Sequence, residues 1–317
     1  MIDGGAITSP VTDGPCHLIK HVPTKKLIDL YRAEHGIDVS RFFSGLESID
    51  LMQCDTTGYE FFHPFSVEGD PAFYTDLYSK DQSKDWAYSA RRWEFDWVTE
   101  RLDKTDRVLD VGCGSGEFLL GLSGKVARVR GLETSDFGCA EAAKAGLDVV
   151  QDTIQTHAID NAGAYDVVTC FQVLEHIQDV GPFVESLITA TAPGGKIIIA
   201  VPNNASFVGE QDELTLNFPP HHVGHWRRDS LAALAPALGL ELIAADCEPL
   251  QEELIDWYKT WVERKYLPKS RLARSLYYRF GGSTALGRYL SDNRQTIQGH
   301  TVLAVFQRKE GGDSSTP

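Results

Sequence analysis

The strongest constraint on this chain is a regular alternation of short apolar runs and helical stretches between residues 107 and 203. The apolar runs fall at 108–111, 127–132, 149–150, 165–171 and 196–201, with helical patterns after Gly116, near 139–145 and over 182–190. Runs this short and apolar suit strands buried on both faces, and helices between them serve as crossovers. The pattern therefore predicts an α/β fold, a Rossmann-like, doubly wound and mainly parallel sheet. Pro182 suits the first turn of its helix, Phe183, Leu187 and Ile188 form its buried stripe, and Pro-Gly-Gly at 193–195 ends it. Leu231, Leu234 and Leu238 outline another helix, followed by strands at 242–245 and 301–306.

The 317 residues, 42% of them hydrophobic, hold more than this core. Residues 1–85, rich in scattered aromatics, read as an N-terminal accessory region, and 86–250 as the core, entered by a helix over 86–102 with Trp93 and Trp97 on one face. Residues 251–298 read as a helical insertion, and 299–317 as the last strand and tail. The first dozen residues and those from Glu310 read as frayed ends without chemistry. In the insertion, Leu254, Trp257, Tyr258 and Trp261 recur at helical spacing ahead of basic residues from Arg264 through Arg279. A lid or a homodimer contact is expected there, with a membrane-surface helix as the third option.

No run approaches the roughly 20 apolar residues of a membrane span, and the polar start through Gly14 lacks the apolar centre of a secretory signal. A cytoplasmic protein is expected. With 45 acidic against 30 basic residues the formal charge is −15, which repels phosphate backbones, so a small molecule rather than nucleic acid is the expected partner. The six cysteines are widely spaced and form no CxxC pattern, so free thiols are expected.

Residues 108–118 read VLDVGCGSGEF, a strand running into a glycine-rich turn and then a helix. Gly112, Gly114 and Gly116 supply unusual dihedrals and let a ligand approach the backbone of the turn that begins at Asp110. Glu133, seventeen residues past Gly116, ends the next strand, where a carboxylate can accept hydrogen bonds from both hydroxyls of an adenosine ribose. NAD and S-adenosylmethionine both satisfy that geometry, and the residues beyond it must discriminate.

Those residues carry a resemblance. The turn from Asp110 to Gly116 resembles the first motif of class I S-adenosylmethionine-dependent methyltransferases, and Glu133, with Thr134 beside it, matches that family's ribose acid. Asp152 and Thr153 match the adenine-binding position after the third strand, and Tyr-Asp-Val-Val from Tyr165 resembles the start of the fourth strand. Phe171 to Ile177 resembles the VLEH signature of ubiquinone-biosynthesis-type O-methyltransferases, and Pro-Gly-Gly-Lys at 193–196 resembles the loop before the fifth strand. The resemblance implies S-adenosyl-L-methionine as cofactor, held by Asp110, Gly112, Cys113, Gly114, Gly116, Glu133, Thr134, Asp152, Thr153 and Phe171. Cys113 is expected to pack rather than react. Tyr88 and Arg92, ahead of the core, take the position from which related enzymes reach the methionine end, where an arginine pairs with its carboxylate. The segments Gly58 to Pro64 and Gly69 to Tyr74 resemble a leader on methyltransferases of bacterial saccharide and secondary-metabolite genes, its aromatics either packing on the core or stacking on a sugar.

Methyl transfer is an in-line displacement, so alignment comes first, and a hydroxyl nucleophile must also lose a proton. His176, just past the fourth strand, and His222, in the Phe-Pro-Pro-His-His-Val-Gly-His-Trp segment at 218–226, are the candidate catalytic residues. His222 is the expected base or substrate anchor, and His176 is open to either a catalytic or a loop-organising role. His221 and His225 have zinc-like spacing but no evident carboxylate or cysteine companion, and Gln172 stands where a metal-binding aspartate is expected, so no metal is expected. The expected activity is methyl transfer to a small molecule, at an oxygen of a sugar or other polar metabolite, with nitrogen or carbon transfer and an NAD-dependent oxidoreductase as the alternatives.

Overall fold

The computed structural model describes residues 7–80 and 92–310, with the backbone alone at 78–80. The expected start of the helix over 86–102, with Tyr88, lies outside the described residues, and the helix within them is Trp93–Thr99. The strands, in chain order, are β1 Cys16–Pro23, β2 Ser48–Cys54, β3 Glu60–His63, β4 Arg107–Val111, β5 Arg128–Glu133, β6 Val149–Gln151, β7 Tyr165–Phe171, β8 Thr191–Pro202, β9 Gly224–His225, β10 Glu241–Pro249 and β11 Gln298–Gln307.

Seven of them form one sheet in the order β10-β11-β8-β7-β4-β5-β6. The pairings from β8 to β6 are parallel, and β11 runs antiparallel to both of its neighbours. The expected Rossmann-like α/β sheet is thus present, with one reversed strand. The apolar runs make these strands because both faces are covered: Val108, Leu109, Val168, Ile197 and Ile199 are all buried. From β4 the chain first builds outward through β5 and β6, then crosses to β7 and β8. Order reverses between β4 and β7, and open α/β sheets bind ligands at the carboxyl ends of strands at such a switch point.

The helix Val180–Ala190 buries Phe183 and Leu187 as expected, but Val184 completes the stripe and Ile188 is only half-buried. The single helix expected through Leu231, Leu234 and Leu238 is instead two short ones, Arg228–Ala232 and Leu234–Ala237. Pro236 has no N–H to donate back to Ala232, so a continuous helix loses a rung there.

The N-terminal region forms a four-stranded antiparallel sheet, β1-β2-β3-β9, whose last strand comes from the histidine-rich segment after β8. It shares the central core: Met52, Tyr59 and Phe61 pack in one cluster with Leu109, Val168, Ile199 and Trp226. Trp226 is fully buried and stacks on Tyr59 with ring centroids 4.0 Å apart. The leader aromatics Tyr59, Phe61, Phe62 and Phe73 are likewise buried, so they pack rather than face a sugar.

The insertion contains the helices Ile255–Tyr266, Arg271–Arg279 and Gly282–Asn293. Trp257 and Tyr258 clasp Phe207, on the segment after β8, with centroids 4.7 and 5.1 Å away. Among the described residues no helix is long and apolar enough to cross a membrane.

The joint between the two sheets gives the first prediction. A Cβ at Gly224 would collide with the Tyr59 hydroxyl inside the core, so Gly224→Ala should destabilise the chain by about 1–3 kcal/mol in chemical denaturation. An unchanged midpoint would show that the β3–β9 seam yields without cost.

Candidate active site

The glycine turn leaves the carboxyl end of β4 with Gly112, Gly114 and Gly116 at φ +74°, +54° and +87°. Such values strain any residue with a Cβ. At Gly112 a Cβ would also strike the Val173 side chain, so the turn and the segment after β7 are in contact. The N–H groups of Gly112 and Cys113 both donate to the Leu132 carbonyl, at 2.8 and 3.0 Å, fastening the turn to β5.

That places Glu133 under the turn. Its Oε2 accepts from the Gly114 N–H at 2.8 Å, and its Oε1 accepts from the N–H groups of Thr134 at 2.8 Å and Ser135 at 2.7 Å. Three donors leave part of the carboxylate's capacity for a ribose hydroxyl. Thr134 acts here through its backbone. Cys113 packs toward Gly131, and burial pushes its thiol well above the ordinary range, which suits a filler and not a nucleophile.

Asp110 is buried and accepts a 2.7 Å hydrogen bond from the Thr169 hydroxyl. Burial pushes its carboxyl up to about 7, opposed by that hydrogen bond and by the nearby Arg92 charge. Arg92 precedes the helix Trp93–Thr99; burial raises the carboxyls of Glu94, Glu117 and Glu175, and the Arg92 charge opposes that rise at each. Its guanidinium therefore sits among the acids at this end of the sheet. Phe171 packs between Phe95 and Phe118, with centroids 5.4 and 5.0 Å away. Asp152 accepts from the Thr153 N–H at 2.8 Å, and Thr153 caps the helix Ile154–Asp160. Asp152 and Thr153 thus stand at the end of β6, across β5 from the turn.

Past β7 the chain turns at Gln172, at φ +56°, and delivers Glu175 and His176. Here the histidine-rich segment meets them: rings of His176, His221 and His222 lie with centroids 4.5–4.9 Å apart. His176 Nδ1 lies 2.7 Å from the His221 carbonyl and 3.2 Å from the Tyr74 hydroxyl. His221 Nδ1 lies 2.9 Å from the Leu216 carbonyl, and His222 Nδ1 lies 3.2 Å from Asn217 Oδ1. Burial lowers all three rings, His176 to about 4, so they are neutral at pH 7. Glu175 is buried beside them, which pushes its carboxyl up to about 8.

His225 goes elsewhere: its Nε2 lies 2.7 Å from the Asn217 carbonyl, and Nδ1 faces Glu60 at 3.9 Å. The zinc-like spacing of His221 and His225 therefore does not place them together, whereas His221 joins His176 and His222. Sequence reasoning missed Asn217 and Tyr74 as partners of these rings, and nothing in their spacing signals it. Asn203 and Asn204 are buried, and Asn204 Oδ1 accepts from Asn217 Nδ2 at 2.8 Å, behind the cluster.

A methyltransferase-domain family matches residues 78–245, just over half of the chain. The chain belongs to the class I S-adenosylmethionine-dependent methyltransferases. Its cofactor is S-adenosylmethionine, which the open glycine turn and the spare capacity of Glu133 fit, and the NAD alternative falls away. Ubiquinone biosynthesis O-methyltransferases are similar to it: the one from Vibrio parahaemolyticus is 37% identical over 113 residues, 32% of this chain and 48% of that protein. That of Escherichia coli K12 is 37% identical over 31% of this chain and 43% of its own. The methyltransferase thus spans about half the length of the curated relatives it matches. A solved S-adenosylmethionine-dependent methyltransferase from Archaeoglobus fulgidus aligns with 72% of this chain and 100% of its own, at 17% identity and TM-score 0.48.

Two substitutions test the cofactor site. Glu133→Ala should weaken S-adenosylmethionine binding by about 1–3 kcal/mol through lost charged hydrogen bonds, and unchanged affinity in calorimetry would remove Glu133 from the site. Gly112→Val, facing both its positive φ and the Val173 side chain, should abolish cofactor binding in a chain that remains folded.

Proposed function

We propose that this methyltransferase transfers the methyl group of S-adenosylmethionine to an oxygen of a small polar molecule such as a sugar or a modified metabolite. The observation that carries the reading is the position of the histidine cluster. Val173 presses on the cofactor turn, and Glu175 and His176 follow it within three residues. An acceptor seated on the cluster therefore lies beside the cofactor loop, at the switch point of the sheet.

The cluster suits a hydroxylated acceptor. The Nδ1 of each ring faces an oxygen acceptor, which leaves Nε2 lone pairs to receive a proton or to hold a hydroxyl. His222 takes that role in this reading, with His176 next to it. The acceptor oxygen then attacks the sulfonium methyl carbon, and alignment by the surrounding wall supplies most of the acceleration. The oxygen specificity printed in the names of the curated relatives supports the same acceptor atom. The insertion, seated through Phe207, serves as a lid over the acceptor side or as a contact with a second copy, and the setting is the cytoplasm.

The test is release of S-adenosylhomocysteine on incubation with a panel of hydroxylated small molecules. With an acceptor in hand, His222→Ala should lower turnover roughly 10²–10⁴-fold while cofactor affinity stays nearly constant. A larger loss in His176→Ala, with His222→Ala nearly silent, would transfer the role. If neither substitution affects turnover, the cluster has no part in the reaction and the reading is wrong.

A further inference from the structure

The histidine cluster has a property that a proton acceptor alone does not require. Three imidazoles, His176, His221 and His222, each offer a ligand atom, and these atoms all lie within 4.8 Å of one another. Carbonyl oxygens can only accept, so a ring nitrogen hydrogen-bonded to one is an N–H, and the opposite nitrogen holds the lone pair. His176 Nδ1 faces the His221 carbonyl, His221 Nδ1 faces the Leu216 carbonyl, and His222 Nδ1 faces the side-chain oxygen of Asn217. All three rings are thus held in one tautomer, with Nε2 as the free lone pair. Outer carbonyl partners fixing ring orientation are the hallmark of metal-ligating histidines.

A carboxylate completes the set. Glu175 Oε1 lies 3.8 Å from His176 Nε2 and 4.0 Å from His222 Nε2, and its side chain is only 2% exposed. Its other oxygen, Oε2, is buried with no hydrogen-bond partner among the described residues. A buried carboxyl oxygen without a hydrogen-bond partner is costly. Three imidazoles with ligand atoms within 4.8 Å, and beside two of them a buried carboxyl oxygen without a partner, suit a cation.

We propose that His176, His221, His222 and Glu175 bind a divalent transition metal, zinc by the donor set of three imidazole nitrogens and one carboxylate oxygen. Donors about 2.0–2.2 Å from a tetrahedral centre stand roughly 3.4 Å apart. The separations of Glu175 Oε1 from the Nε2 of His176 and His222, 3.8 and 4.0 Å, lie near that value, and the three imidazole ligand atoms lie within 4.8 Å of one another. His225, with Nε2 on a carbonyl and Nδ1 facing Glu60, is the contrast within the same segment: a structural histidine with both nitrogens engaged.

The open side of the site follows from exposure. The side chains of His176 and His222 are 20% and 12% exposed while Glu175 is closed off, so a further ligand enters from the histidine side. An acceptor hydroxyl bound there loses its proton to solvent more readily, because the ion stabilises the alkoxide. The alkoxide oxygen forms the new bond to the methyl carbon as the carbon–sulfur bond breaks, its electron pair going to sulfur to give neutral S-adenosylhomocysteine. This half rests on the acceptor position proposed above, and with the ion bound it replaces His222 as the proton acceptor, because the His222 Nε2 is then a ligand; binding of the ion does not rest on that reading.

The experiment uses the full chain, stripped with chelator and titrated with cobalt(II) as a spectroscopic stand-in for zinc. We expect one cobalt per chain, with intense visible bands of a tetrahedral or five-coordinate nitrogen–oxygen site, displaced by zinc. His222→Gln and Glu175→Gln should each weaken cobalt binding by 100-fold or more, and Asn217→Ala, which frees the His222 ring, by about 10–100-fold. Circular dichroism identifies any variant that fails to fold, and the wild-type titration decides the question without the variants. Absence of stoichiometric cobalt in the wild-type chain, or full retention in folded His222→Gln, overturns the site. If metal binds but the stripped chain transfers methyl groups as fast as the zinc-loaded one, the catalytic half falls. Methyl transfer by a chain that binds no metal overturns this inference alone and leaves the reading of the acceptor reaction standing.

Discussion

The N–H groups of Gly112 and Cys113 converge on the single carbonyl of Leu132, and the cofactor end of the molecule is organised around that fork. It holds the turn against β5 while the backbone runs through three left-handed glycines. Because the turn is pinned there, the Gly114 N–H reaches Glu133, and because Glu133 is the last residue of β5, its carboxylate lies at the edge of the sheet with part of its accepting capacity free. A side chain at Gly112 would push the turn off Val173, and with it the segment that carries Glu175 and His176. The glycine turn and the segment that carries the histidine cluster are thus one packed unit.

The histidine-rich segment is held from its other side by the N-terminal region. The Tyr31 hydroxyl donates to the Phe218 carbonyl at 2.8 Å, Gly69 N–H to Pro220 at 2.9 Å, and Phe62 N–H to Val223 at 2.9 Å. Each such bond contributes about 0.5–1.5 kcal/mol, and buried Trp226 and Phe218 anchor the same segment in two different hydrophobic clusters. A proline-rich loop fixed at this many points places its histidines within narrow limits, which suits a reaction governed by alignment. The N-terminal sheet is therefore part of the site's scaffold: without it, β9 has no strand to pair with.

Burial sets the charge of the site. Asp110, Glu94 and Glu175 are withdrawn from water near the glycine turn and the histidine cluster, and desolvation raises each of their carboxyls. Arg92 opposes that rise at all three. The formal charge of −15 consequently says little about this region, where among the described residues Arg92 lies near buried acids whose carboxyls are raised. The sequence places Arg92 just ahead of the core. Its observed neighbours are the chain's own acids, so a cofactor carboxylate entering there competes with Glu94, Glu117 and Asp110 for the same charge.

What was legible in the sequence followed from local rules. Period, glycine spacing and the carboxylate at the end of a strand are properties of a few consecutive residues, and they located β4 to β8, the glycine turn and Glu133. The helix broken at Pro236 and the N-terminal sheet were not legible in the same way, since β9 is two residues long and pairs across more than 160 positions with β3. The histidines make the distinction sharpest. His221, His222 and His225 lie within five positions, and ligand-like spacing favours the first and third. The fold instead separates them by what each Nδ1 and Nε2 meets: the Leu216 carbonyl and the Asn217 side chain take the Nδ1 of His221 and His222, which cluster with His176, whereas the Asn217 carbonyl takes the Nε2 of His225. One short segment, 216–217, thus decides which histidines keep a free lone pair, and a backbone carbonyl's direction is a property of the folded chain that no residue spacing encodes.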